Sequence, residues 1–308
     1  ENYIFLIPFT LILIPSFLGI FYGLATYCFF IINIRKPLSN LFLFSLLWGL
    51  SEFLRGNILT GFPWNLIAYS FSNQLEISTI TSIIGTYGFN LFCISLFTCP
   101  AIFILRDTKK DIGVCIIFLI TTILFFIYGS YYEKKFNESN FNTYNYKIRV
   151  IGSNISLDRF YSDKDPISVI KDLIKISEPN KKEKIIFVWP EGILPNISQK
   201  ELAEYNWLFK EHFSENHLLI IGINSQSVNE GINNYYNSLS IYDHNLKLIN
   251  SYNKINLVPF GEFLPLEKFL SKLGLKKITR GYNSFSSGDK RELINLGNIL
   301  PRGVIYYF

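Results

Sequence analysis

The sequence has few of the residues that soluble domains use for thiol and metal chemistry. Its four cysteines all belong to the first part of the chain: Cys28, Cys93, Cys99 and Cys115. The three histidines are scattered, and His212 and His217 stand five residues apart, whereas a helical metal motif spaces them by four. We therefore expect no disulfide framework, no metal site and no cofactor in the C-terminal part.

Two further absences narrow the interpretation. Methionine is missing even at position 1, so we expect the chain to be trimmed or incomplete at its N terminus. No basic run is interleaved with aromatic residues, although the net charge is +5. Nucleic acid is therefore not an expected partner.

Charged residues are scarce before residue 131. The first 130 residues hold only six basic and five acidic side chains, out of 29 and 24 in the whole chain. Tyr3–Ile34 carries no formal charge, and at about 1.5 Å per residue it exceeds the roughly 30 Å thickness of a membrane core. Three more apolar stretches follow, around Leu38–Leu54, within Ile77–Leu105 and at Ile112–Tyr132. The pattern predicts a transmembrane helical region over residues 1–132, with about four spans, and a separate domain over residues 133–308.

Basic residues between the spans predict the orientation. Arg35 and Lys36 lie between the first and second spans, and Arg106, Lys109 and Lys110 lie between the third and fourth. The positive-inside rule places both loops in the cytoplasm. The domain after the fourth span is then expected on the outer side of the membrane.

Glu52 and Arg55 stand three residues apart inside an otherwise uncharged stretch. Each charge would cost about 2.5–3.5 kcal/mol at the centre of a membrane helix. We therefore expect the two side chains to pair with each other or to lie at the membrane interface.

The second half alternates between strand and helix patterns. Five segments read as strands: Lys147–Ile151, Ile185–Trp189, Leu218–Ile223, Tyr235–Tyr242 and Lys247–Ile255. Two segments read as helices: Asp165–Glu178 and Ser198–Glu215. Strand–helix alternation followed by a hairpin predicts an α/β layered domain with a mixed sheet.

Glu191 is the first candidate for catalysis. It follows the apolar strand Ile185–Trp189 and Pro190, which cannot donate to a sheet ladder. Open α/β sheets bind ligands beyond the carboxyl ends of their strands. A carboxylate shielded there by Trp189 would have a raised pKa, which suits a general base. An ordinary exposed turn glutamate is the alternative.

Lys254 stands at the end of the last predicted strand, and Glu262 follows in a Gly-Glu-Phe turn. A lysine beside a buried carboxylate could bind an oxyanion and hold the base in place. A structural salt bridge would explain one glutamate and one lysine equally well, and most loop glutamates are simply solvated.

A set of short motifs resembles the apolipoprotein N-acyltransferases, a branch of the nitrilase superfamily. The motifs follow one another along the chain: Glu52-Phe-Leu-Arg-Gly56, Thr60-Gly-Phe-Pro-Trp64, Trp189-Pro-Glu191, Tyr236-Asn-Ser238, Tyr252-Asn-Lys254, Leu257-Val-Pro-Phe-Gly-Glu262 and Ser284-Phe-Ser286 with Gly288. The Lys and Val-Pro-Phe-Gly-Glu run, combined with Thr-Gly-Phe-Pro-Trp in a membrane region, is the most specific part of this match.

The resemblance implies an α-helical transmembrane bundle followed by a nitrilase-like α-β-β-α sandwich. It implies a ping-pong acyltransferase that moves a fatty acyl chain from a phospholipid, through a cysteine thioester, to the α-amine of a diacylated apolipoprotein. Glu191 would be the base, Lys254 would stabilise the oxyanion and Glu262 would orient the other groups. Aromatic residues would contact lipid or substrate: Trp64, Trp189, Phe260 and Phe263. The setting would be a bacterial inner membrane with the domain in the periplasm, and we expect a monomer.

The sequence departs from this family at the nucleophile. The family carries Cys-Tyr-Glu soon after the Ser-Phe-Ser segment, whereas Ile299–Phe308 contains no cysteine. Ser284, Ser286 and Ser287 are weak hydroxyl substitutes. We therefore expect a C-terminally incomplete member that is inactive as given. The alternatives are a membrane-anchored amidase of the nitrilase superfamily and a non-catalytic protein that binds lipid or lipoprotein.

Overall fold

The structure is a computed structural model that describes residues 7–32, 34–58, 61–139, 146–152, 165–194, 196–229, 231–273, 284–290, 294–295 and 304–305. The chain divides into two compact units, Glu1–Phe141 and Asn142–Phe308. The first unit is helical and the second contains the sheet.

Within the described residues, the helical unit contains four long α-helices and two short ones. In chain order the α-helices are α1 (Ile7–Ile32), α2 (Pro37–Asn57), α3 (Leu75–Ser78), α4 (Thr81–Thr98), α5 (Ile102–Leu105) and α6 (Ile112–Glu138). Four segments of the described chain are long and apolar enough to cross a membrane: Leu11–Ile32, Pro37–Asn57, Thr81–Leu105 and Lys109–Glu138. The prediction of about four helices that are long and apolar enough to cross a membrane is confirmed. Most large apolar side chains of α1 and α6 are exposed, as lipid-facing helices require.

The third span is broken where its sequence contains glycine and proline. Gly85 has a φ of +71°, which interrupts the helical dihedrals of α4. Pro100 lies in a 3-10 turn, Cys99–Ala101, that separates α4 from α5. The apolar stretch Ile77–Leu105 is therefore divided among α3, α4 and α5.

The second unit is built on a five-stranded mixed sheet, as its sequence predicts. The strands are β1 (Lys147–Val150), β2 (Ile185–Trp189), β3 (His217–Asn229), β4 (Ile232–Asp243) and β5 (Leu248–Asn253), in that spatial order. β1, β2 and β3 are parallel, and β3, β4 and β5 are antiparallel. Two short strands, β6 (Ile294–Asn295) and β7 (Val304–Ile305), pair with each other.

Helices cover one face of this sheet. Strand side chains alternate, so Ile185, Phe187 and Trp189 contact the main core, which includes residues of α7 (Pro166–Ser177) and α8 (Asn206–His212). The intervening Ile186 joins a second apolar cluster on the other face. The last α-helix in the described residues is α9 (Glu267–Leu270).

The helix predicted over Ser198–Glu215 is shorter in the structure. Glu201–Tyr205 forms a 3-10 turn, and α8 begins only at Asn206. Ser198 forms a β-bridge with Asn224 and donates its backbone N–H to Glu201 Oε2 at 2.7 Å. Bridging to Asn224, in the middle of β3, therefore keeps the start of this segment out of the helix.

Candidate active site

Strand β2 delivers Glu191 to the edge of the sheet. Pro190 ends the strand, and Gly192 turns the chain with a φ of +63°. The neighbouring β3 passes very close to this turn at Gly222. A Cβ atom there would lie 2.6 Å from the Cα atom of Glu191, so only glycine fits.

Lys254 follows directly after β5 and reaches two carboxylates. Its Nζ atom lies 3.1 Å from Glu191 Oε1 and 3.2 Å from Glu262 Oε1. The backbone of Lys254 is fixed on both sides, because its N–H donates to Asn237 O at 2.8 Å and its carbonyl accepts from Gly288 N at 2.9 Å. The structure thus brings together the three candidate residues that were chosen from the sequence.

Asn237, on β4, is a fourth member of the site, and no role was predicted for it. Its Nδ2 atom donates to Glu262 Oε1 at 2.6 Å and also contacts Glu191 Oε1. The same pair of carboxylate oxygens therefore receives hydrogen bonds from one amide and one ammonium. The Tyr-Asn-Ser motif marks this position in the sequence, but the burial of Asn237, which requires polar partners, is visible only in the structure.

Glu262 is held by its own turn. Its Oε2 atom accepts from Val258 N at 2.7 Å, and its backbone N–H donates to Val258 O at 2.8 Å. Phe260 supports this turn with a φ of +63°. Both carboxylate oxygens of Glu262 are thus engaged. For Glu191, hydrogen bonds within the described residues reach only Oε1, which leaves Oε2 to accept a proton.

The three charged groups differ in burial. The Glu191 side chain is 49% exposed, whereas those of Lys254 and Glu262 are 13% and 12% exposed. Burial alone would lower the pKa of Lys254, but the charges and hydrogen bonds of Glu191 and Glu262 outweigh it and raise that pKa above its ordinary value. Lys254 is therefore an ammonium at neutral pH.

The 284–288 segment lies beside the site and is fixed mainly through its backbone. Phe285 N donates to Glu262 O at 2.8 Å, and Ser286 N donates to Tyr235 O at 2.7 Å. The three serine hydroxyls have other partners: Glu267 for Ser284, Asn234 for Ser286, and Ile255 O for Ser287. None of these bonds joins a serine to Glu191 or Lys254, so the geometry gives no support to a serine nucleophile.

The aromatic candidates occupy different environments. Trp189 is only 1% exposed, and its Nε1 atom donates to Ser177 Oγ at 2.9 Å inside the main core. Because strand side chains alternate, it packs under α7 and α8, which corrects the expectation that it shields Glu191 or contacts lipid. Phe260 is exposed and Phe263 is half-buried beside Glu262. Trp64, in the helical unit, is 67% exposed and stacks on Phe62, whereas Thr60 lies outside the described residues.

The chemistry that this arrangement allows follows from the pairing of Glu191 with Lys254. An exposed carboxylate with one unengaged oxygen stands beside a buried ammonium. A carboxylate oxygen of this kind can accept a proton, and an ammonium can donate to an oxyanion. Within the described residues no group of three or more His, Cys, Asp or Glu side chains could hold a metal ion.

Comparison with known proteins finds similarity to the same family that the motifs indicate. Residues 1–99 match the model of the apolipoprotein N-acyltransferase N-terminal domain. This chain resembles the apolipoprotein N-acyltransferases. The enzyme of that name from Rhodopseudomonas palustris is 26% identical over 315 residues, which cover 98% of this chain and 58% of that protein. The one from Rhizobium etli is 27% identical over 322 residues, which cover 100% and 58%.

The predicted resemblance to N-acyltransferases is thereby confirmed across nearly all of the chain. The chain spans a little more than half the length of these curated apolipoprotein N-acyltransferases, and 53% of the one from Caulobacter vibrioides. Four apolar helices in the described chain agree with a membrane location.

Proposed function

We propose that this chain carries the membrane region and the base–ammonium pair of an apolipoprotein N-acyltransferase. The observation that carries the proposal is the contact of Lys254 Nζ with both Glu191 and Glu262, in a chain that resembles these enzymes. The acyl donor would be a phospholipid, and the acceptor would be a diacylated apolipoprotein. The protein would be a monomer in the membrane.

The sheet unit would be one half of a nitrilase-like α-β-β-α sandwich, with its boundary near residue 133. Two observations support this architecture. Helices α7 and α8 pack on one face of the mixed sheet, and the opposite face carries a second apolar cluster around Ile186, Ile220 and Ile241. An apolar second face is what a sheet needs to pack on another layer.

In the first half-reaction Glu191 would accept the proton of a cysteine thiol. The thiolate would attack the ester carbonyl of a phospholipid and form a tetrahedral oxyanion, and the lysophospholipid would leave as an alcohol that takes the proton back. Lys254 has three N–H donors, of which two are directed to the carboxylates, so the third would donate to the oxyanion.

In the second half-reaction Glu191 would accept a proton from the incoming α-amine. The amine would attack the thioester carbonyl, an amide bond would form, and the cysteine sulfur would leave and recover a proton. Glu262 has both oxygens engaged, so it would hold Lys254 in place and Glu191 would move the protons.

None of the four cysteines belongs to the unit that contains Glu191. We therefore propose that residues 1–308 alone form no acyl-thioester. We further propose a bacterial inner membrane as the location, with the sheet unit in the periplasm.

The test is acyl labelling of the protein expressed from its full reading frame. A phospholipid with an alkyne-tagged fatty acid should give a hydroxylamine-sensitive label, which a diacylated lipopeptide then removes as an amide. Glu191→Gln and Lys254→Ala should each lower labelling by about a hundredfold or more, because a positioned base or oxyanion donor contributes on that scale.

The matched controls are Glu183→Gln and Lys147→Ala, which break another carboxylate–lysine pair of the same sheet, 2.9 Å apart. These two variants should label like the parent. Normal labelling of Glu191→Gln would overturn the assigned base, and an unlabelled parent would overturn acyl transfer. Release of ammonia from a simple amide by the parent would instead favour an amidase.

A further inference from the structure

The helical unit contains a buried polar cluster that the proposed acyl transfer does not use. Glu52 and Arg55, on the last turns of α2, are both buried. The Glu52 carboxylate is engaged by Asn90 Nδ2 from α4 and by the hydroxyl of Tyr22 from α1, at 3.4 Å. Within the described residues no ion pair shorter than 4.0 Å joins Glu52 to Arg55.

Arg55 is left with unsatisfied donors. Its guanidinium lies 5.7 Å from the ring centre of Tyr22, but its buried Nε and Nη2 atoms have no hydrogen-bond partner in the described structure. These two nitrogens point their N–H bonds along one edge of the guanidinium, the fork that binds two oxygens of one anion. Leaving such donors unpaired in an apolar setting is costly, so a ligand that fills the fork would be stabilised.

The position of the fork indicates which anion fills it. Arg55 stands in the last turn of a helix that could cross a membrane, so it lies at one end of the span. The chain then folds back, with Phe62 N bonded to Arg55 O at 2.9 Å, and exposes Trp64, a residue type that favours the headgroup layer. Lipid phosphate is the abundant anion at that depth.

A second unsatisfied donor lies deeper in the span than Arg55, at the depth of the ester carbonyls of a phospholipid. Ser51 Oγ is buried without a partner and stands four residues, or about 6 Å, further into the span than Arg55. In a phospholipid the ester carbonyls follow the phosphate toward the membrane interior. Tyr22 is only half-buried and covers the guanidinium, so a lipid would reach the fork by displacing its ring.

We propose that Arg55 and Ser51 form a phospholipid site in the helical unit, with the phosphodiester on the Nε–Nη2 edge of Arg55 and an ester carbonyl on Ser51 Oγ. Binding of a phospholipid at this site requires no acyl transfer, so it can be tested independently of the function proposed above.

The test is native mass spectrometry of the 308-residue chain in detergent, titrated with short-chain phosphatidylglycerol, with diacylglycerol of the same chains, and with inorganic phosphate. The parent should retain one phosphatidylglycerol at concentrations where diacylglycerol and phosphate leave no adduct. Arg55→Lys keeps the charge without the fork and should weaken binding about tenfold or more. Ser51→Ala should weaken it about fivefold.

Two matched variants serve as controls. Arg106→Lys alters an exposed arginine at the end of α5, and Ser45→Ala removes another buried unpartnered hydroxyl of α2, ten residues from Arg55. Both should bind like the parent. Equal retention of diacylglycerol and phosphatidylglycerol by the parent would overturn the phosphate contact, and unchanged binding by Ser51→Ala would overturn the carbonyl contact. If Arg55→Lys fails to fold, the comparison of phosphatidylglycerol with diacylglycerol in the parent still tests whether binding requires the phosphate.

Discussion

Gly222 and Glu191 are in backbone contact across β3 and the turn after β2. A Cβ atom on Gly222 would lie 2.6 Å from Glu191 Cα, 2.8 Å from Glu191 N and 3.0 Å from Pro190 O. All three atoms belong to the backbone and cannot rotate away. The position of the proposed base, Glu191, therefore depends on a glycine at position 222 of the neighbouring strand.

Gly222→Ala should displace the Glu191 turn and break the contact of Glu191 with Lys254. We expect acyl-thioester formation in the full-length protein to fall by about a hundredfold, since small misplacements of a reacting group cost that much. Gly152→Ala, in the same unit, meets no atom within 4 Å and is the matched control. Equal labelling of the two variants would show that the close approach does not position the base.

Asn237→Asp should damage the site more than Asn237→Ala. The aspartate would replace a donor by a third carboxylate facing Glu191 and Glu262, in a position that is buried. An uncompensated buried charge costs about 3–5 kcal/mol, so we expect a clear loss of thermal stability together with lost labelling. The control is Asn250→Asp on β5, where Oδ1 accepts from Ser251 N and an aspartate can do the same. An Asn237→Asp protein as stable as this control would show that the contacts of Asn237 with Glu191 and Glu262 do not stabilise the unit.

Local patterns predict most of the sheet unit because apolar runs, a proline and a hairpin turn each act over a few residues. They predict the strand Ile185–Trp189 and place Lys254 at the end of a strand, as in the structure. The prediction that Trp189 shields Glu191 was wrong. The side chain of residue 189 points toward α7 and α8, and which face those helices cover is a tertiary property that the strand alone does not encode.

The roles of Asn237 and Gly222 could not be predicted from the sequence, because they too depend on tertiary structure. Their function depends on partners 46 and 31 positions away, through strand register and backbone approach. The four long apolar helices, in contrast, can be predicted directly from the small number of charged residues before residue 131. Each helix must by itself be long and apolar enough to cross a membrane, so no tertiary information is needed.

Lys254 should give the protein an alkaline limit to its stability. Its pKa is raised in the folded unit, so its contribution is complete below the ordinary lysine pKa of about 10.5 and is lost as the pH rises through the folded value. Burial also raises the pKa of Tyr242 to about 12, so this tyrosine contributes to the same limit. Thermal unfolding of parent and Lys254→Met from pH 8 upward should converge at high pH. Lys147→Met, at an exposed ion pair, should keep a constant difference from the parent.

His217 should set the acid limit. Burial lowers its pKa, and hydrogen bonds to the backbone oppose this only in part. Its Nδ1 atom accepts from Ser214 N at 3.2 Å, and Nε2 faces Asn180 O at 2.9 Å, so the neutral ring with hydrogen on Nε2 satisfies both partners. Protonation would turn Nδ1 into a donor that faces another donor.

A lowered pKa in the folded state means that stability is complete above the ordinary histidine value of about 6.5 and declines as the pH falls through the folded value. We expect the melting temperature of the parent to fall over this acid range. His217→Gln should be less stable at pH 7.5, because it loses ring packing against Phe187 and Phe213, but should approach the parent as the pH falls. His212→Gln, at the end of α8, controls for removal of a histidine. A constant difference between His217→Gln and the parent across the acid range would show that this ring does not control the decline.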